Sequence, residues 1–166
     1  MARATAVANY FIKKAAESGR KMMSPDVINL VYIAHGWHLA IKQNPLVDEP
    51  VKAWQYGPVF PSLYQSLIPY GGGPITGYAV EPHDERFWPT APYLEPDEQT
   101  KLILDKVWSE YSKYNGPQLI DITHRYDSPW SQVFRMYSSI LGNNAIIDND
   151  LIREHFIHKE EKRRSR

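Results

Sequence analysis

Two pairs of side chains in this sequence are placed where they could do chemistry. His35 and His38, in His35-Gly36-Trp37-His38, lie three residues apart. On a helix that spacing puts both imidazoles on one face, where they could share a metal ion. A metal site needs further ligands, none follows at a recognisable spacing, and His-Glu-x-x-His is absent. The competing reading is structural: one histidine hydrogen-bonds within the core, and Gly36 lets another helix approach closely. Asp121 and His124 form the second pair. A carboxylate can orient an imidazole as a general base, with Ser128 or Ser131 as the nucleophile. Gly-x-Ser-x-Gly is missing, however, and Ser128-Pro129 has the form of a helix start. A His and an Asp so placed also serve to tie one helix to its neighbour. Gly71-Gly72-Gly73 lacks both the Gly-Lys-Ser/Thr ending of a phosphate loop and the spacing of a dinucleotide fingerprint, and reads as a turn or hinge.

A different kind of site is offered by Trp54-Gln55-Tyr56-Gly57-Pro58-Val59-Phe60-Pro61-Ser62-Leu63-Tyr64, where four large aromatics surround a Gly-Pro corner. The segment is either a rigid joint packed by aromatics or a recognition surface. Trp and Tyr anchors on a rigid support bind at low entropic cost. Trp54, Tyr56 and Tyr64 are the candidate partner-binding residues.

The elements that position these groups follow from length and pattern. At 166 residues, 43% hydrophobic and 23% charged, the chain suits one folded domain rather than a disordered segment. Formal net charge is zero, which argues against a nucleic-acid binder. The basic run from Lys162 to Arg166 is diluted by Glu160 and Glu161 and reads as a solvated end. With no cysteine there can be no disulfide, thiolate zinc site or cysteine nucleophile. The first residues do not resemble a secretory signal, and no apolar run approaches the roughly 20 residues of a membrane span. A cytoplasmic protein without cofactor or bound metal is expected.

The pattern predicts a mostly α fold. It would be a compact bundle of about six to seven helices with a small two- or three-stranded β element near residues 51–56 and 75–80. Val7, Phe11, Ile12 and Ala15 give a first helix an inner face, and Gly19 stops it. Ser24 caps a second helix with Pro25 behind it, and its inner stripe runs from Val27 through Leu30, Val31, Ala34 and His38 to Ile41. Val51 to Tyr56 alternates as a strand, and Ile75 to Val80 could pair with it. Helices follow from Pro58 or Pro61, over 97–114 with Leu102, Leu104 and Val107 inward, from Pro117 and after Ser128-Pro129. The last helix runs from Asn149 to about His158. Residues 82–96 form a Pro-rich loop, 1–158 a single domain, and 159–166 a fraying charged tail.

Asp26-Val27-Ile28-Asn29-Leu30-Val31-Tyr32-Ile33-Ala34-His35-Gly36-Trp37-His38-Leu39-Ala40 is similar to the helix signature of the Panacea domain, the SocA-like antitoxins, also seen in phage-associated proteins. Pro45-Leu46, Asp48-Glu49-Pro50, Ala53-Trp54 and Tyr56-Gly57-Pro58-Val59, with Pro61 and Tyr64, resemble its second block. Thr123-His124 followed by Ser128-Pro129-Trp130 resembles its third, and Ile147, Ile152 and Phe156 its closing pattern. The family-signature positions are thus His35, Gly36, Trp54, Gly57, Pro58, His124, Ser128, Pro129 and Trp130. Asn29 departs from the family's usual Lys, and the 82–96 loop is longer than in a minimal member. The resemblance implies a non-enzymatic antitoxin that binds and neutralises a toxin encoded beside it. A SocA-type variant would instead be an adaptor handing its toxin to a Clp-family protease. The readings from other classes are a hydrolase or metal-dependent enzyme using His35/His38 or Asp121/His124, and a DNA-binding autoregulator.

Overall fold

The second helix carries apolar residues on every side, and a helix of that kind must be covered all round. In the computed structural model, which describes residues 1–81 and 90–165, it is. Seven α-helices are present among the described residues: α1 (Ala4–Ser18), α2 (Ser24–Lys42), α3 (Pro61–Leu67), α4 (Glu98–Tyr111), α5 (Gly116–Thr123), α6 (Pro129–Leu141) and α7 (Asn149–Arg164). Strands β1 (Val51–Trp54), β2 (Gly57–Val59) and β3 (Ile146–Ile147) make one antiparallel sheet in the order β2-β1-β3. Helices α1, α3, α4, α5 and α7 and strand β2 all pack on α2. The mostly α expectation therefore holds. No helix among the described residues is long and apolar enough to cross a membrane.

The tightest contact is between α2 and α7. A Cβ on Gly36 would lie 2.1 Å from the ring of Phe156, so the glycine is the slot into which that ring fits. Trp37 and Tyr32 meet the same ring edge-on, with centroids 5.3 and 6.1 Å away. The close-approach reading of Gly36 is the one the packing adopts.

Several expectations need correction. Residues 75–80 do not join the sheet. Ile75 N–H donates to Met22 O (2.8 Å) and Ala79 N–H to Asn9 Oδ1 (2.8 Å), so this segment runs along α1 and the α1–α2 turn instead. The free edge of β1 is taken by β3, because a 3₁₀ turn at Gly142–Asn144 brings the chain back and Ala53 N–H reaches Ala145 O at 2.9 Å. Ser24 begins α2 rather than capping it. Asp26 accepts the Met23 N–H at 2.8 Å, and Ser24 Oγ has no hydrogen-bond partner among the described residues. Ile41 and Leu102 are exposed, not inward. The buried positions of α4 are Thr100, Ile103, Leu104 and Val107, and Leu102 lies off that stripe. Nor does α7 end at His158. It continues to Arg164, with Arg164 bonded to Glu160 (3.1 Å) and Arg163 over the Trp37 ring (5.8 Å), and its basic last turn complements the helix dipole.

The proline-rich loop lies partly outside the described residues, Pro82 and Pro89 among them. Glu81, just before it, is bridged to Thr90 within it, with hydrogen bonds of 2.8 and 2.9 Å. Asn9, fully buried on α1, donates to Ala79 O (3.0 Å) and Pro92 O (2.8 Å), holding both flanks of the loop against the helix.

Gly36→Ala should lower stability by about 3 kcal/mol, the upper end of an overpacking cost, in chemical denaturation. In a Phe156→Ala background the same change should be neutral or stabilising, because helix propensity then favours alanine by about 1 kcal/mol. A full penalty in both backgrounds would refute the slot.

Candidate partner interface

The Gly-Pro corner is a hairpin. β1 and β2 are joined by a two-residue turn, Gln55-Tyr56, with Trp54 opposite Gly57. β2 is an edge strand, so Pro58 removes no ladder hydrogen bond that the sheet needs. Two side chains from the far end of the sequence grip this turn by its backbone. Trp130 Nε1 donates to Trp54 O at 2.7 Å, and His124 Nε2 donates to Tyr56 O at 3.0 Å. The two rings stack on each other, 4.0 Å between centroids and 21° apart, and Phe134 extends the stack at 4.8 Å. Gly57 has φ 124°, and a Cβ there would stand 2.6 Å from His124 Nε2. Only glycine accepts both that backbone conformation and that neighbour. Ser128 is buried and caps α6 by accepting the Ser131 N–H at 3.1 Å, with Pro129 in the first turn, and this fixes where Trp130 emerges. Thr123 donates to Asn29 Oδ1 at 2.9 Å, tying α5 to α2 just before His124.

Gly57, Pro58, His124, Ser128, Pro129 and Trp130 therefore form one clamp, although some 70 residues of sequence separate its halves. The imidazole of His124 is pushed below its ordinary pKa, chiefly by burial, while its hydrogen bond to Tyr56 O opposes that shift. Its Nε2 is directed to Tyr56 O rather than to Asp121. The hydroxyl of Ser128 is engaged in capping and that of Ser131 accepts from Arg135 Nε at 3.1 Å. The arrangement a hydrolase would need from Asp121, His124 and these serines is not formed.

The other two candidate histidines, His35 and His38, are committed in the same way. His35 Nδ1 accepts the Val47 N–H (3.3 Å), which leaves Nε2 to donate to Asn149 Oδ1 (2.9 Å) and tie α2 to the start of α7. His38 Nδ1 donates to Asn44 O (2.8 Å), and its Nε2 lies 3.3 Å from Thr100 Oγ1, itself bonded by Lys42. Both rings thus have both nitrogens occupied. Among the described residues no group of three or more His, Asp or Glu is placed to hold a metal. Burial pushes His35 down to about 4 and lowers His38 as well.

With the turn held from behind, its aromatics face outward. Tyr56 is 82% exposed and Tyr64 44%. Trp54 is half-buried, edge-on to Tyr64 with centroids 5.1 Å apart, and donates from Nε1 to Asn143 O at 3.1 Å. The sequence reading missed the surface next to them. Met136, Tyr137, Ile140 and Leu141 on α6 and Ile146 on β3 are all exposed. The signal was available, since the apolar residues of α6 continue well past the two turns that bury Trp130 and Val133.

The clamp joins the blocks that suggested a family, and comparison with known proteins agrees. The model of the family described as Antitoxin SocA-like, Panacea domain, matches residues 27–131, well over half of the chain. The chain belongs to this family. It is also similar to a protein named Antitoxin SocA from Caulobacter vibrioides (strain NA1000 / CB15N), 26% identical over 153 residues, covering 92% of this chain and 81% of that protein. No solved structure matches. The matched span begins in α2, includes the whole hairpin and closes on the clamp at Trp130 and Ser131.

Two outcomes follow. Trp130→Phe keeps a ring in the stack but loses the N–H to Trp54 O, and should cost about 1 kcal/mol in denaturant unfolding. Acid should destabilise the fold through its buried imidazoles. The folded-state pKa of His35 is depressed from 6.5 to about 4, so its contribution is fully present above pH 6.5 and is lost as pH falls to 4. The slope of Tm against pH in that window should shrink in His35→Gln; an unchanged slope would count against the assignment.

Proposed function

We propose that this chain is an antitoxin that neutralises a genetically linked toxin by binding it directly, with Tyr56, Trp54 and Tyr64 in the contact. The observation that carries the reading is the exposure of Tyr56 at the tip of a turn whose two flanking carbonyls are fixed from behind. Exposed aromatics on a pre-ordered turn lose little freedom on binding, which is where interface energy concentrates. Family membership supports the antitoxin role. The histidines that an enzymatic reading would use are occupied in holding α2, α5 and the hairpin together.

Co-expression with the product of the adjacent gene tests the role: growth should be restored when both are present. Tyr56→Ala should leave Tm unchanged yet weaken binding to that product by roughly 30-fold, about 2 kcal/mol, in calorimetry. Rescue that persists with unaltered affinity in Tyr56→Ala would remove the corner from the interface. A toxin half-life shortened by this chain together with a Clp-family protease would make delivery, rather than occlusion, the mechanism.

A further inference from the structure

The aromatic corner is too small to be an interface by itself. A tyrosine offers about 150–250 Å² when fully buried, so Tyr56 and Tyr64 at their observed exposures supply roughly 250 Å². A stable complex buries about 800 Å² on each partner. The missing area has to adjoin the corner, and one neighbouring surface has the character to supply it.

From Met136 to Ile147 the chain carries no charged residue. Within that stretch Met136 and Ile140 are four apart on α6 and are 64% and 77% exposed, with Tyr137 and Leu141 beside them. Ile146 stands opposite Lys52 on β1, two residues from Trp54, so Ile146 and Trp54 lie on the same outer face of the sheet. The turn between Leu141 and Ile146 is bonded to the corner itself through Trp54 Nε1 and Asn143 O. Strip and corner are therefore continuous. Exposed apolar patches of this extent mark interaction surfaces in soluble proteins.

We infer that the strip formed by Met136, Tyr137, Ile140, Leu141 and Ile146 docks an uncharged, apolar segment of the toxin and sets which toxin is accepted. The inference rests on the direct-binding reading above. The chemistry of the occupant follows from that of the strip: none of its five side chains is charged, and Lys52 stands opposite Ile146 rather than on α6, so a charged group of the partner set over Met136 and Ile140 would be desolvated without a counter-ion there, which is strongly unfavourable. The strip also lies beyond the span that the family model matches. The clamp and hairpin are within it, so the shared part builds the support and the strip adds the selectivity.

Ile140→Glu and, separately, Met136→Glu place a carboxylate on the strip at positions that add no burden to the core. Each variant, as the full chain, is titrated against the adjacent gene's product. The expected result is an unchanged Tm, a loss of affinity of at least 30-fold and failure to rescue growth. If Tyr56→Ala weakens binding while both strip variants bind as tightly as the parent, the strip is not in the contact and only this inference falls. If Tyr56→Ala and both strip variants all bind normally, the direct-binding reading of this face falls with it. The parent should sediment as a monomer. A parent dimer that Ile140→Glu converts to a monomer with full toxin affinity would assign the strip to a second copy of the chain and overturn the proposal.

Discussion

Burial of α2 on all sides is the constraint from which the rest of the molecule follows. A helix with Leu30, Val31, Ile33, Ala34 and Trp37 around its circumference cannot be left with an open face, so other elements enclose it. Enclosure creates a second demand. Asp26, Asn29, His35 and His38 lie on the same helix and are also buried. A buried polar group without a partner is costly; Asn29 donates to Pro25 O within the helix, and the other partners are Asn149, Val47, Asn44, Thr100, Thr123 and the Met23 amide, outside α2. The polar residues of α2 thereby specify which neighbour sits where, while its apolar residues supply the driving force.

The clamp on the hairpin extends the same logic towards the surface. Asn29 takes the hydroxyl of Thr123, and the next residue, His124, reaches the hairpin turn. Trp130 reaches the other flanking carbonyl from α6, whose start is set by Ser128. An unbroken series of hydrogen bonds and stacked rings thus connects the central helix to an exposed tyrosine. Side chains whose types suggest acid–base chemistry are spent on positioning.

Much of this was legible in the sequence, because the signals were local. Gly19, Pro25, Pro117 and Ser128-Pro129 are helix punctuation that works through nearest neighbours, and each lies at or beside an observed helix end. The Gly57-Pro58 corner and the slot at Gly36 were readable for a related reason, since glycine at such places marks a backbone that must turn or be approached. What could not be read depended on distant partners. A two-residue strand at Ile146 has no periodicity, and residues 75–80 look as suitable for β1 until Asn9 is known to hold Ala79. Ile41 and Leu102 fit an inward stripe by type, and only the actual course of α4 leaves them outside. The exposed face of α6 escaped notice because apolar residues at helical spacing suggest a core, and the sequence does not say where the body of the domain ends.

The bridge between Glu81 and Thr90 joins two stretches of chain that depend on one buried amide. Below it, Asn9 is fully buried and bonded to backbone on both flanks, so a change there would propagate into α1. Ala79 and Pro92 hang on that one side chain, so substituting Asn9 would free residues 79–81 and 90–92 from α1 in a single event. A side chain with no part in the apolar core thus decides whether two separate stretches of backbone keep their place.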